Sequence, residues 1–254
     1  PGAYGANEPK QNAANLRTKG WELMLTWNDA FKLANKPFRY NLSVGLADNT
    51  SEITKFDNPS KILSDYYVGQ KLGDIWGYVV DGLFRTDEEA ANYNVDQTAV
   101  NFVINTAQVN PGLHAGDMKF VDLDGDHTIS SGSNTADDPG DRKIIGNSLP
   151  RYTYSIQGGF DWYGFDFSIY LQGVGHQDWY PGTNSVFFWG PYARPYSSFI
   201  PRDFLSQVWS PENPDAYFPR PIGYLALGNN RSLGVVNDRY LQNLAYCRVK
   251  NITV

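Results

Sequence analysis

The chain has one cysteine, Cys247, and three histidines in 254 residues. A single thiol rules out an internal disulfide framework, and Cys247 reads as a small packed residue in a strand. His114, His127 and His176 show no His-x-x-x-His or Cys/His spacing that would hold zinc. Charge is scarce too: 19% of residues are ionisable, and the net −6 is spread without a basic block, which argues against nucleic acid as a partner. There is no nucleophile elbow and no phosphate-binding glycine loop. Asp178 and Glu212 are nominal glycosidase carboxylates, but a pair drawn from 27 acids is unconstrained, and catalysis is disfavoured. No apolar run approaches the roughly 20 residues of a membrane helix, and no signal peptide is visible. Transmembrane strands are untouched by that absence, since they need only about 9–11 alternating residues. Both ends read as cut: the chain opens in a Pro/Gly/Asn-rich loop and stops inside a strand at Val254.

Aromatics, by contrast, make up 15% of the chain, with tyrosine the commonest, and they favour strands. In RYTYSIQGGFDWYGFDFSIYLQG, from Arg151 to Gly173, Tyr152, Tyr154, Ile156, Gly158 and Phe160 fall on one parity. Thr153, Ser155, Gln157 and Asp161 fall on the other. After Trp162-Tyr163-Gly164, Phe165, Phe167, Ile169 and Leu171 alternate with Asp166, Ser168, Tyr170 and Gln172. Successive side chains of a strand point to opposite faces, so this is a hairpin with one apolar and one polar side. A twin occupies 18–47, where Trp21, Leu23, Leu25 and Trp27 alternate with polar residues. A polar turn is expected at Asn28 to Pro37, and Phe38, Tyr40, Leu42, Val44 and Leu46 follow.

The connections are unequal. The turns are short, whereas 48–150 and 174–240 are long. The first holds a Gly-punctuated, strand-like run from Tyr66 to Phe84 and a helix start capped by Thr86. The second holds a short helix over Arg202 to Trp209, and 241–254 closes the chain as a strand. Short turns on one side and long loops on the other fit an outer-membrane barrel, although a soluble sandwich can also grow long loops.

Within the first connection, Asp122, Asp124 and Asp126 stand at positions 1, 3 and 5 of a loop, with the Thr128 carbonyl at position 7. This spacing wraps oxygens around a hard cation such as Ca²⁺. His127 sits where the sharp turn normally takes glycine, and Ser133 falls at position 12. An insertion, SSGSNTAD, then precedes Asp141, which supplies the bidentate ligand if the insertion bulges out. The alternative is an Asp/Gly turn held by its own side chains. In the second connection, Trp179, Tyr180, Phe187, Phe188, Trp189, Tyr192 and Tyr196 crowd into 176–200. They either pack on neighbouring loops or a partner, or form a stacking platform for sugar rings, with Trp179, Tyr180, Trp189 and Tyr192 as candidate ligand contacts.

Several ordered motifs carry a family resemblance. They are NAANLRTKGWELMLTW, GDIWGYVVDGLF, GDMKFVDLDGDHTIS with DRKIIGNSLPRYTYSIQGGFDWYGFDFSIYLQGV, VWSPENPDAYFPR and DRYLQNLAYCRVKNITV. In this order they resemble the SusC/RagA family of TonB-linked outer-membrane proteins of the Bacteroidetes. The insertion at 131–138 and His127 in place of glycine are the departures. The resemblance implies an all-β fold: an antiparallel segment of the C-terminal half of a 22-stranded transmembrane β-barrel. It has wall hairpins at 18–47 and 151–173, a strand at 241–254 and extracellular loops between. The plug domain is expected to lie outside the segment. The implied function is TonB-dependent import of glycans or peptides with a SusD-like surface lipoprotein as lid. Energy would come from the TonB complex through the N-terminal part. Aligned on the family loop, Asp141 takes the twelfth position once the insertion is removed. Tyr152, Ile156, Phe160, Phe165, Phe167 and Ile169 would face outer-membrane lipid. The competing reading is a calcium-stabilised, soluble or cell-surface carbohydrate-binding β-domain.

Overall fold

The computed structural model describes residues 12–100, 112–193, 200–228 and 231–254. Its strands in chain order are β1 (Asn15–Leu33), β2 (Lys36–Lys55), β3 (Asp74–Tyr78), β4 (Val80–Leu83), β5 (Met118–Phe120) and β6 (Arg142–Asn147). They continue with β7 (Arg151–Trp162), β8 (Phe165–His176), β9 (Asp178–Trp179), β10 (Gln242–Asn243) and β11 (Tyr246–Thr253). Two short helices, α1 (Asp87–Ala91) and α2 (Val186–Trp189), lie in the connections.

Five long strands form one antiparallel sheet in the order β1-β2-β7-β8-β11. Both hairpins close through two-residue turns. Leu33 pairs with Lys36 across Ala34 and Asn35 (φ 49° and 61°), and Trp162 pairs with Phe165 across Tyr163 and Gly164 (φ 56° and 84°). Positive φ at both turn residues gives a turn whose twist matches the right-handed twist of the strands. The first turn is much tighter than the polar stretch 28–37 suggested. That stretch is strand, because Asn28 to Leu33 pair residue by residue with Asn41 to Lys36. The Trp162 indole donates to the Leu33 carbonyl at 3.3 Å and ties the two turns together. Gly173 opposite Tyr154 is demanded by contact: a Cβ there would fall on the tyrosine ring, 2.3 Å from Cζ.

Hairpin β1–β2 overshoots its neighbour. Pairing of β2 with β7 stops at Ala47, and beyond it the segment 69–72 takes over the vacant edge. Gly69 N–H donates to the Ile53 carbonyl at 2.9 Å, Ile53 N–H to the Gln70 carbonyl at 2.9 Å, and Leu72 N–H to the Ser51 carbonyl at 2.8 Å.

The hydrophobic core lies elsewhere. Tyr78, Phe120, Trp189, Tyr192, Phe218 and Tyr240 are among its members, and every member comes from the two long connections, with none from the five-stranded sheet. Small antiparallel pairs, β3–β6, β4–β5 and β9–β10, frame it. Helix α1 starts where expected: the Thr86 hydroxyl accepts the Glu89 N–H at 3.1 Å, and the Glu89 carboxylate accepts the Arg85 N–H at 2.8 Å. The helix expected over Arg202 to Trp209 is one 3₁₀ turn, Phe204–Gln207. The closing segment splits, since β10 pairs with β9 in the loop unit and only β11 joins the wall. Cys247, expected to be packed, is exposed on β11.

Candidate functional site

Register turns the alternation of single strands into two continuous surfaces. Phe160 stands between Tyr40 and Phe167, Ile156 between Val44 and Leu171, and Tyr154 between Leu46 and Gly173. β1 extends this apolar face with Leu23, Leu25 and Trp27 opposite Leu46, Val44 and Leu42. Phe165, Phe167 and Ile169 belong to it as well. Near the turns the face becomes an aromatic belt. Phe160 stacks on Phe38 and on Phe167 at 5.4 Å each, Phe31 lies 5.0 Å from Phe38, and the Trp27 indole donates to the Tyr40 hydroxyl. The opposite face carries Ser155 opposite Gln172, Ser43 opposite Gln157 and Asp161 opposite Asp166, with Arg39 beside them. Tyr152 departs from the pattern. It sits at φ 53°, level with Asp48, with the Arg151 guanidinium over its ring at 5.4 Å. It therefore marks the upper rim of the apolar band. Arg151 grips both oxygens of Asp48 at 2.6 Å, an ion pair that the sequence did not reveal.

Among the described residues nothing covers the apolar face. Trp21, Leu23, Leu25, Trp27 and Phe31 are all exposed. A soluble sandwich would pack a second sheet there about 10 Å away. No second sheet packs on it in that way among the described residues.

The carboxylate loop is a second site. Oxygens of Asp122, Asp124 and Asp141 lie within 4.8 Å of one another. Each carboxylate is oriented by backbone. Asp122 accepts from Gly125 and His127 at 2.7 and 2.9 Å, Asp124 from Asp126 at 3.1 Å, and Asp141 from Leu123 and Ser130 at 2.7 Å each. His127 takes the left-handed conformation (φ 64°) that normally calls for glycine there. Asp126 departs from expectation: its carboxylate turns onto the Thr128 N–H at 2.7 Å and stays outside the cluster. The insertion does bulge out. Gly132 and Gly140, both at positive φ, close its neck, and a Cβ on either would strike the other's backbone. Of the acids beyond it, Asp137 pairs with Lys61 and Asp138 folds back onto Ser133, so only fully buried Asp141 reaches the cluster. Burial pushes its carboxyl up, against the pull of the Ser130 and Leu123 N–H groups, and the nearby Asp124 and Asp122 charges add to the rise. Desolvation also opposes ionisation of Asp122, but the Gly125 and His127 N–H groups outweigh it and hold that carboxyl below its usual range. An all-oxygen cluster with one buried, high-lying carboxyl fits a hard divalent cation.

The aromatic loop separates into core and surface. Trp189 is fully buried and donates to the Gly182 carbonyl at 3.0 Å; Tyr192 is buried with its hydroxyl on the Pro219 carbonyl. Tyr180 donates to Val235 at 2.9 Å and accepts from Asn237 at 3.0 Å. Burial drives the Tyr180 and Tyr192 phenols far above their ordinary range, which keeps them neutral hydrogen-bonding core groups. Trp189 and Tyr192 thus belong to the core, whereas Tyr180 is half-buried. Trp179 alone of the four is exposed, and Tyr196 lies outside the described residues. Asp178, a nominal catalytic acid, is buried against the Asn147 N–H and His176 Nε2, both below 3 Å.

Comparison with known proteins decides what such a one-sheet wall belongs to. No protein-family model matches the chain. A TonB-dependent receptor of Formosa agariphila is 27% identical over 192 residues, covering 66% of this chain and 18% of the relative. A second TonB-dependent receptor of that organism is 23% identical over the whole chain and 23% of its own length. The chain thus spans about a fifth to a quarter of the curated relatives it matches. In fold, 99% of the chain superimposes on 24% of a chain of the RagAB peptide transporter, with a TM-score of 0.57 and 14% identity.

The chain is similar in sequence to a segment of TonB-dependent receptors and in fold to part of a RagAB transporter chain. The five-stranded sheet has the antiparallel fold of barrel wall, which places the segment in the outer membrane. The sheet's two uncovered faces follow from that placement, since a barrel wall needs no second sheet.

Proposed function

We propose that the receptor containing this segment imports glycans or peptides across the outer membrane, with the segment supplying wall and extracellular loops. The observation that carries this reading is a sheet whose apolar and polar faces are both largely uncovered among the described residues, while the main hydrophobic cluster sits in the long connections. Ile156, Phe160, Phe165, Phe167 and Ile169 face lipid, with Tyr152 at their upper rim. Thr153, Ser155, Gln157, Asp166, Ser168 and Gln172 line a wet lumen. A SusD-like surface lipoprotein caps the loops, and the TonB complex acts through other parts of the receptor. The similarity to a peptide transporter supports peptides as cargo. The exposed Trp179 ring supports a sugar contact. Ca²⁺ would be held by Asp122, Asp124 and Asp141 with the Thr128 carbonyl, while Asp126 steadies the turn. Its role is to tie the insertion neck to the loop core.

Deleting the receptor and measuring growth on single glycans or on defined peptides tests the import reading. Loss of growth on one such nutrient class, restored by the intact gene, is the expected result. Unchanged uptake of every glycan and peptide offered would overturn it.

A further inference from the structure

Above the apolar band the outward side of the wall changes character. Arg17 pairs with Glu52, and Glu52 bridges to Lys71 on the segment that takes over the β2 edge. These three side chains therefore form one row on the face that carries Trp21 and Leu23. One row nearer the band stands Lys19, opposite Thr50. The next holds Trp21 opposite Asp48, which Arg151 grips. Four cations thus meet two carboxylates in these rows, and Asp74 adds a third in the field of Arg151. Arg17 and Arg151 are occupied by Glu52 and Asp48 at 2.9 and 2.6 Å. Lys19 and Lys71 are exposed and lie in the field of Glu52, but form no salt bridge among the described residues.

The luminal side at the same height has no such charge. It carries Leu16, Thr18 and Gly20 on β1 and Asn49, Ser51 and Ile53 on β2, with the Thr18 and Ser51 hydroxyls bonded at 2.7 Å. The excess positive charge is therefore confined to the face that continues the lipid surface. It begins directly above the Trp21 ring, at the level where a bilayer gives way to its headgroups. A lysine there lays its methylene stem on apolar neighbours and lifts its ammonium into the headgroup layer.

We infer that this rim binds the phosphate of an outer-leaflet lipid headgroup. Lys19 and Lys71 are the contacting cations, and Arg17 and Arg151 are a flanking field held in place by Glu52 and Asp48. The acyl chains of the same lipid run down over Leu23, Leu25 and Val44. This inference rests on the assignment of the apolar face to lipid.

The test is native mass spectrometry of the full-length receptor in mild detergent, titrated with phosphorylated lipid A, with dephosphorylated lipid A and with inorganic phosphate. Phosphorylated lipid A should bind most tightly. Lys19→Gln and Lys71→Gln should each weaken it about fivefold, and the double variant should bind both lipids alike. Restored binding in the Lys19→Arg/Lys71→Arg receptor would show that charge, rather than a local packing fault, is responsible. Equal affinity of the unaltered receptor for the two lipids would overturn the proposal. So would phosphate alone binding as tightly as the lipid, which would make this a free-anion site. Loss of a copurifying surface protein with lipid binding unchanged would also overturn it, by making the rim a protein contact. Val44→Arg separates the underlying assignment: normal membrane insertion of that variant would sink the lipid face itself, whatever the lysines do.

Discussion

Phe160 in the wall and Phe218 in the loop core have nearly the same ring neighbourhood. Phe160 stacks on Phe38 and Phe167 at 5.4 Å. Phe218 stacks on Tyr192 at 5.7 Å and Tyr240 at 5.8 Å. Their surroundings differ. The rings around Phe218 close over one another, and Tyr192 and Tyr240 hide their hydroxyls on backbone carbonyls. The rings around Phe160 form a single layer with its outer surface open. Aromatic density therefore says little about where a residue lies; what matters is whether a second layer covers it. The loops make their own apolar interior, whereas the apolar side of the wall is left open among the described residues.

Substitutions can break that contrast. The largest effect is expected inside the loop core, where Trp189→Ala removes a fully buried indole and its bond to Gly182. The expected loss is about 3–5 kcal/mol, seen as rapid loop proteolysis in a receptor whose barrel still resists unfolding in detergent. Simultaneous collapse of the barrel would mean that the two regions are one cooperative unit. In the wall the cost should depend on depth. Ile156→Arg, midway along the band, should destabilise insertion by about 2–4 kcal/mol. Phe167→Arg, two rows from the turn and inside the aromatic belt, should cost only about 0–1 kcal/mol. Gln157→Arg, on the opposite face, should insert normally. Equal penalties at Ile156 and Gln157 in a vesicle-folding titration would abolish the distinction between the faces.

Smaller effects belong to the carboxylate loop. Asp141→Asn should lower Ca²⁺ affinity by about tenfold, because site affinity follows ligand charge; terbium luminescence on the intact receptor measures it. The pH dependence has a definite sign. A carboxyl whose folded pKa is raised stabilises the metal-free fold below its unfolded pKa, near 3.8, and loses that contribution as pH rises through the folded value. A cation reverses this by favouring the ionised form. Stabilisation by Ca²⁺ should thus grow from acidic to neutral pH, and a thermal shift independent of pH would exclude Asp141 as a ligand. Smallest of all, Thr86→Ala should cost about 1 kcal/mol, confined to α1 and read by local hydrogen exchange.

Much of the wall was legible because strand parity is a local property. The two hairpins, their faces and a short turn at 162–164 all followed from a period of two, although Trp162 proved to be paired strand. The stretch 28–37 was misread because Asn28, Asp29 and Lys32 look like turn residues in isolation, and only pairing with β2 shows them as strand. The loop unit was less legible because its contacts are distant in sequence. Nothing near Trp189 announces Gly182 and Tyr240 as its neighbours, and β3 finds β6 across most of a connection. Asp141 was expected beside Asp122 and Asp124 from the family resemblance, and its carboxylate does lie with theirs. The diversion of Asp126 was not, since it depends on which way one carboxylate turns. The ion pair between Asp48 and Arg151 likewise waits on the register of β2 with β7.

The overshoot of β1–β2 beyond Ala47 has a mechanical consequence. Strands advance about 3.3 Å per residue, so the stretch from Trp21 back to Asn15 extends the hairpin as a stalk about 20 Å beyond the row that Trp21 shares with Asp48. The 69–72 segment braces that stalk as a third leg. A small change in strand tilt lower in the sheet would be magnified at its tip.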